Sequence, residues 1–160
     1  MSLVNARILS LCEQRIKKHE GFRSQMYRCP AGKRTIGYGF NLEALDMPRS
    51  VADEWLCILV GGIRFRLEHL GLWNPAEYGV FRQSALVEMY YQLGGASFLK
   101  FQDFLDAMEF EDYRRAAREM VNSEWCKQTP SRCRYLARLV YFGKEPGPAE
   151  LKRAPAWLVK

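Results

Sequence analysis

Apolar residues recur at every third or fourth position along the first twenty residues of the chain, at Ile8, Leu11, Cys12 and Ile16. This spacing predicts an amphipathic helix. We expect the helix to end at Gly21, because glycine adopts the left-handed conformation that commonly ends helices.

The pattern changes between residues 22 and 42. Pro30-Ala31-Gly32 is typical of a turn, and the period-two alternation over residues 35–40 predicts a strand. The segment is therefore expected to form a small hairpin or sheet. Gly37 and Gly39 would share one face of the strand, and a face without side chains indicates the close approach of a ligand or of another backbone.

Beyond residue 50 the apolar spacing is helical again. It predicts a long helix to about residue 70, followed by helices at residues 81–93, 98–108, 112–122 and 130–142. The proline-containing tail is expected to run along the surface, anchored by Trp157 and Leu158. The sequence thus predicts an α+β, predominantly helical protein with a small β-containing lobe, a connecting helix and a helical lobe.

The net charge is +6 and the pI is near 9.2. This positive charge favours a polyanionic partner, and the alternative is that it serves solubility alone. A membrane span is not expected, because the sequence has no run of about 18 apolar residues. Polar residues interrupt the N-terminal segment too often for a secretory signal, so export is expected to need another route.

The five cysteines are an odd number without the paired spacing of metal ligands. We therefore expect no disulfide framework, and synthesis in a reducing compartment. Cys12 and Cys57 stand among apolar residues and are expected to be small buried side chains.

Glu20 is in an unusual position, because it falls on the last turn of the first helix. The helix macrodipole places partial negative charge there, which favours the protonated carboxylic acid. Shielding by Phe22 and Tyr27 would add to this effect. A carboxylic acid that stays protonated near neutral pH is suited to general acid catalysis. The alternative is a solvated surface glutamate.

A second charge is equally misplaced. Thr129 and Pro130 are typical of the cap and first residue of a helix, so Arg132 falls in the first turn, where the macrodipole disfavours a cation. Both anomalies would be resolved if Arg132 lay beside Glu20 and oriented it. The alternative is an unpaired surface arginine.

These segments resemble a known family. The sequence IKKHEGFRSQMYRCPAGKRTIGYGFNL is similar to the catalytic segment of the phage endolysin lysozymes, glycoside hydrolase family 24, and YYQLGG and SEWCKQTPSRCRYLARLVYFG resemble their helical lobe. The resemblance covers about residues 8–143. It implies a single lysozyme-like domain over residues 1–160, with a cleft between two lobes. The small lobe would be residues 21–49, the connecting helix 50–70, and the helical lobe 1–20 and 71–160.

The resemblance also implies roles for individual residues. Glu20 would be the general acid, Thr35 would position water or substrate, and Cys29 stands where many relatives have aspartate. Cys29 would be a base, a covalent nucleophile or a plain turn thiol, and neighbouring cations would lower its pKa (Arg23, Arg28, Lys33 and Arg34). The residues implied to contact the saccharide are Tyr91, Gln92, Arg132 and Asn41.

The implied activity is that of a muramidase, which hydrolyses the β-1,4 bond between N-acetylmuramic acid and N-acetylglucosamine in peptidoglycan. Alternatives are a lytic transglycosylase and a cationic wall-binding module with weakened catalysis. No cofactor and no metal are expected, since His19 and His69 stand alone. We further expect a monomer that binds no nucleic acid, inserts in no membrane, and reaches the wall through holin-type release or machine delivery.

Overall fold

The computed structural model describes residues 3–159, with side chains from residue 8 onward. Ten helices and three strands lie within this range. The chain divides into two compact units, Met1–Asp53 and Glu54–Lys160, and each unit is described here by itself. The predominantly helical α+β class predicted from the sequence is confirmed.

Unit 1 begins with helix α1 (Leu3–Glu20). As predicted, the helix ends at Gly21, whose φ of 64° lies in the left-handed region. The amide of Gly21 donates to the carbonyl of Lys17 at 3.1 Å, which closes the last turn. Glu20 is therefore the final helical residue.

The sheet of unit 1 is antiparallel, with strands β1 (Arg23–Arg28), β2 (Arg34–Gly37) and β3 (Phe40–Asn41) in the order β1-β2-β3. The single strand predicted over residues 35–40 is thus wrong in one respect, because a turn divides it. Gly37 and Gly39 have φ values of 67° and 75°, and this left-handed backbone turns β2 back into β3.

Helix α2 (Arg49–His69) begins in unit 1 and continues into unit 2. The helices that follow are α3 (Pro75–Leu93), α4 (Gly95–Phe98), α5 (Gln102–Glu109), α6 (Tyr113–Val121), α7 (Glu124–Gln128) and α8 (Pro130–Phe142). The predicted helix over 98–108 corresponds to α5, which begins four residues later at Gln102, and α4 and α7 were not predicted. The helix predicted at 130–142 is confirmed at both ends.

The core of unit 2 is built from α3, α5, α6 and α8, each of which buries an apolar stripe (Leu86, Met89, Phe104, Met108, Met120, Leu136 and Val140 are fully buried). Helices α9 (Pro148–Arg153) and α10 (Ala156–Val159) form the tail. Leu158 is 0% exposed and Trp157 packs against Tyr141 with ring centroids 6.2 Å apart. The two residues predicted to anchor the tail therefore do so.

The cysteines correct the sequence analysis. Cys126 in α7 and Cys133 in α8 form a disulfide with a Cα–Cα distance of 5.1 Å, although no disulfide was expected. Cys12 and Cys57 are exposed rather than buried. Apolar neighbours in the sequence indicate a helix face, but they do not determine whether anything covers it.

The described helices include none that is both long enough and apolar enough to cross a membrane.

Candidate active site

Glu20 is held in unit 1 against the turn that follows β2. A methyl group placed on Gly39 would lie 2.6 Å from Glu20 Oε2, so the carboxylate occupies the space that any other side chain would need. The sequence predicts that a ligand or another backbone approaches this glycine face. The structure shows instead that the Glu20 carboxyl group approaches Gly39 and that the Phe40 ring approaches Gly37.

The shielding of Glu20 by Phe22 and Tyr27 is not observed. Glu20 is exposed, and Phe22 is itself 65% exposed and packs against Tyr38 with ring centroids 5.3 Å apart. Tyr27 instead lies beneath the guanidinium of Arg23, at 4.3 Å from the ring centroid. In unit 1 Glu20 thus lies at the end of α1 beside Gly39, without burial by aromatic rings.

Cys29 begins the tight turn that connects β1 to β2. Its amide donates to the carbonyl of Lys33 at 3.0 Å, and the amide of Gly32 donates to the carbonyl of Cys29 at 2.7 Å. Gly32 has a φ of 77°, which the turn requires. The half-buried Cys29 thiol therefore lies within a ring of backbone amides.

These amides change the acidity of the thiol. The pKa of Cys29 is lowered, chiefly because the amide of Lys33 donates a hydrogen bond to the sulfur, with weaker contributions from the amide of Ala31 and the hydroxyl of Thr35. Partial burial acts in the opposite direction. The Thr35 hydroxyl also donates to the carbonyl of Lys33 at 3.0 Å. The backbone amides are therefore the main donors to the sulfur.

The cations that were expected to lower this pKa have other partners. Arg28 donates to the carbonyl of Gly32 at 2.8 Å. Lys33 and Arg34 both pair with Glu43, at 3.1 and 3.6 Å. The prediction of a lowered thiol pKa is therefore confirmed, but its cause is hydrogen bonding within the turn.

Thr35 and Asn41 lie opposite each other in the sheet. Thr35 is 3% exposed in the central strand and pairs with Asn41 of β3. The Asn41 side-chain oxygen accepts from the amide of Glu43 at 2.9 Å, which orders the turn after β3. Asn41 thus has a local structural role, and its contact with substrate stays a prediction.

In unit 2, two of the predicted saccharide contacts line the same groove. Gln92 at the end of α3 and Arg132 in the first turn of α8 border a cavity of about 400 Å³ together with Thr129, Pro130 and Ser131. The Gln92 Oε1 atom is buried and has no hydrogen-bond partner within residues 8–159. Tyr91, the third contact predicted on this unit, is 50% exposed.

Thr129 occupies the predicted cap position of α8 but does not cap it through its side chain. Its hydroxyl instead donates to the carbonyl of Trp125 at 3.1 Å, which ties the turn back to α7. The predicted pairing of Arg132 with Glu20 would join the two units, and it stays a prediction.

Among the described residues, no group of three or more histidine, cysteine, aspartate or glutamate side chains has the arrangement of a metal site. A carboxylic acid is able to transfer a proton, and a thiol is able to act as a base or a nucleophile. The catalytic roles of Glu20 and Cys29 stay predictions.

Comparison with known proteins defines the class. The phage lysozyme family model matches residues 17–139, which is most of the chain and includes every site residue predicted from the sequence. The chain is also 34% identical over 62 residues to a protein of Dictyostelium discoideum named "Probable T4-type lysozyme 1". That alignment covers 39% of this chain and 36% of the relative.

The chain therefore belongs to the phage lysozyme family.

Proposed function

We propose that the protein is a muramidase that hydrolyses the β-1,4 bond between N-acetylmuramic acid and N-acetylglucosamine in bacterial peptidoglycan. The observation that carries this proposal is the family match, because residues 17–139 contain the complete set of candidate acid, thiol, hydroxyl and saccharide-contacting residues. The net charge of +6 supports it, since the bacterial wall is anionic.

In this proposal Glu20 is the general acid and protonates the glycosidic oxygen as the C1–O bond breaks. One feature of unit 1 supports the role. The carboxylate stands at the last residue of α1, and the bare backbone of Gly39 leaves room for it beside the turn between β2 and β3.

Cys29 provides the second group. Its lowered pKa increases the thiolate fraction near neutral pH, so it is able to accept a proton from water or to attack the anomeric carbon directly. In the first case water adds to C1, its proton passes to the thiolate, and the product is inverted. In the second case a thioglycosyl intermediate forms and water then hydrolyses it with retention. NMR of the anomeric proton at early times distinguishes the two.

The groove of unit 2 supports saccharide binding. Gln92 and Arg132 both border this groove, and the exposed guanidinium of Arg132 offers hydrogen-bond donors to a saccharide. Exposed Tyr91 offers an aromatic face to a sugar ring.

The test is product analysis on purified peptidoglycan beside the Glu20→Gln variant. We expect hydrolysed muropeptides with free reducing ends, and a loss of roughly 100-fold or more in turnover for Glu20→Gln. Glu13→Gln is the matched control, because Glu13 is also an exposed carboxylate of α1 and, within residues 8–159, its ion pair is with Lys17 at 2.6 Å. Near wild-type turnover of Glu20→Gln would discard the acid assignment.

The same digest separates the alternatives. A lytic transglycosylase would release anhydro products that are lighter by one water, and a wall-binding module would bind peptidoglycan without releasing fragments. Delivery to the wall through holin-type release or by an assembled machine belongs to this proposal as well.

A further inference from the structure

The disulfide of unit 2 encloses the residues that form one wall of the groove. Cys126 and Cys133 are seven positions apart, and four of the five groove-lining residues lie between them in the chain (Thr129, Pro130, Ser131 and Arg132). The fifth, Gln92, is supplied by α3. The cross-link therefore closes a small covalent ring of which the groove wall is a part.

The other restraints on this wall are the hydrogen bonds at the turn between α7 and α8. Helix α7 has only five residues, which is too short to be stable by itself, and Thr129 alone connects it to α8. The side chain of Thr129 does not cap α8. Beside the disulfide, the turn is held by backbone bonds from Thr129 to Trp125 and from Cys133 to Thr129, both 3.0 Å, and by the Thr129 hydroxyl, which donates to the carbonyl of Trp125 at 3.1 Å.

The two ends of the ring are firmly anchored. Cys133 is 0% exposed and Cys126 is 3% exposed, so both sulfur atoms lie in the core of unit 2. Arg132 directly precedes the buried Cys133 and is exposed. The disulfide at Cys133 restricts the backbone next to Arg132, whose long side chain has many rotamers. Less conformational entropy is then lost when Arg132 becomes ordered on binding.

We propose that the Cys126–Cys133 disulfide is a positioning cross-link that holds Arg132 in the groove for saccharide binding, so that full substrate affinity appears only after oxidation. This inference rests on the proposed muramidase function. Cys126 and Cys133 are positioning residues, since they act through the wall and not on the substrate.

The oxidation is a thiol–disulfide exchange. One cysteine thiolate attacks a disulfide oxidant, such as glutathione disulfide or a protein disulfide of an oxidoreductase, and releases one thiol. The second cysteine then displaces the other thiol from the mixed disulfide. Two S–H bonds of the chain are lost, one S–S bond forms, and the oxidant takes up two protons and two electrons.

The experiment compares oxidised and reduced forms of the Cys12→Ala/Cys57→Ala protein, in which Cys29 is the remaining free thiol once the disulfide has formed. Thiol titration should find one thiol in the oxidised form and three in the reduced form. Near-ultraviolet circular dichroism confirms that both forms are folded at the assay temperature.

We expect reduction to raise KM for soluble peptidoglycan fragments roughly fivefold with kcat within about twofold. The decisive measurement is the effect of Arg132→Ala in each form. It should raise KM strongly in the oxidised protein and by less than about twofold in the reduced protein, because residues that act through one another are not additive. Cys126→Ala/Cys133→Ala should reproduce the reduced form. Equal effects of Arg132→Ala in both forms, or no effect in the oxidised form, would overturn the proposal.

Amide hydrogen exchange separates this inference from the proposed function. Reduction should accelerate exchange at residues 127–133 and leave the middle of α3 unchanged. If the oxidised protein does not digest peptidoglycan, the muramidase assignment fails whatever the exchange pattern. If it digests peptidoglycan and exchange at 127–133 is the same in both forms, only the positioning role fails.

Discussion

The two units each contain a turn in which cysteine, threonine and proline lie close together, yet the cysteines differ. In unit 1, Cys29 opens a turn held by backbone hydrogen bonds, is half-buried, and keeps a free thiol with a lowered pKa. In unit 2, Cys126 and Cys133 lie on either side of Thr129, are buried, and are joined to each other.

The difference follows from what surrounds each sulfur atom. Amides that point at an accessible thiol stabilise its anion and make it reactive. Core packing that brings two thiols together removes them from solvent and converts them into a structural cross-link. Under the proposed function, unit 1 uses its cysteine for chemistry and unit 2 uses its pair to hold a binding surface.

The largest expected effect concerns how unit 1 holds its acid. Gly39→Ala should lower turnover about 100-fold, because the new methyl group would lie 2.6 Å from Glu20 Oε2 and must displace it. Gly71→Ala is the control, since Gly71 has a similar φ of 70° and nothing within 4 Å of an added methyl group. Both changes should cost about 1 kcal/mol in the free energy of unfolding. Equal turnover in the two variants would show that Gly39 does not position the acid.

The next effect concerns the cross-link of unit 2. Removing it with Cys126→Ala/Cys133→Ala should lower the free energy of unfolding by about 2.4 kcal/mol, from the loop entropy of residues seven positions apart. Denaturant unfolding measures this. Cys12 is exposed, so Cys12→Ala should change the free energy of unfolding by less than about 0.5 kcal/mol. A double variant as stable as the oxidised wild type would mean that the ring adds no restraint.

A smaller effect is expected for the reactive thiol of unit 1. Cys29→Ala should lower turnover about tenfold, which is less than Glu20→Gln, because water oriented by Thr35 still reaches the anomeric carbon. Initial rates on peptidoglycan measure both variants. A loss of turnover as large as that of Glu20→Gln would show that the thiolate is indispensable. Unchanged turnover would show that Cys29 is a plain turn residue.

The smallest expected effect is on the pKa of the Cys29 thiol. With Cys12 and Cys57 replaced by alanine, the alkylation rate of Cys29 by iodoacetamide should rise with pH through an inflection below about 8.5, the usual thiol pKa. The sign follows from the lowered pKa, since the reactive thiolate then persists to lower pH. Thr35→Val should move the inflection upward because it removes a hydroxyl donor, and Thr35→Ser should not. An inflection above the usual thiol pKa in the parent protein would contradict the lowered acidity.

Local signals determined much of the fold. Gly21 ends α1 as predicted because its conformational freedom is a property of that residue alone. Pro130 and Gly143 bound α8 for similarly local reasons, and the apolar residues of the tail anchor it. The turn at Gly37 and Gly39 was missed because two glycines in an alternating segment are compatible with a strand as well as with a turn.

The disulfide shows why other features were beyond sequence reasoning. In one continuous helix, residues seven positions apart would be about 10.5 Å apart along the axis, too far for a bond between their cysteines. Because the helical conformation is interrupted at Thr129, the Cα atoms of Cys126 and Cys133 are 5.1 Å apart. Ser123, which caps α7 by accepting from the amide of Cys126, was the signal that would have identified this short helix.

The sequence by itself determined the helical class, the main helix ends, the family resemblance and the residue types available for catalysis, since each depends on neighbours along the chain. Tertiary structure alone decided that Glu20 lies over Gly39, that amides and not side-chain cations act on Cys29, and that two cysteines are joined. These facts depend on distances between residues that folding brings together, and such distances are not encoded in any short segment.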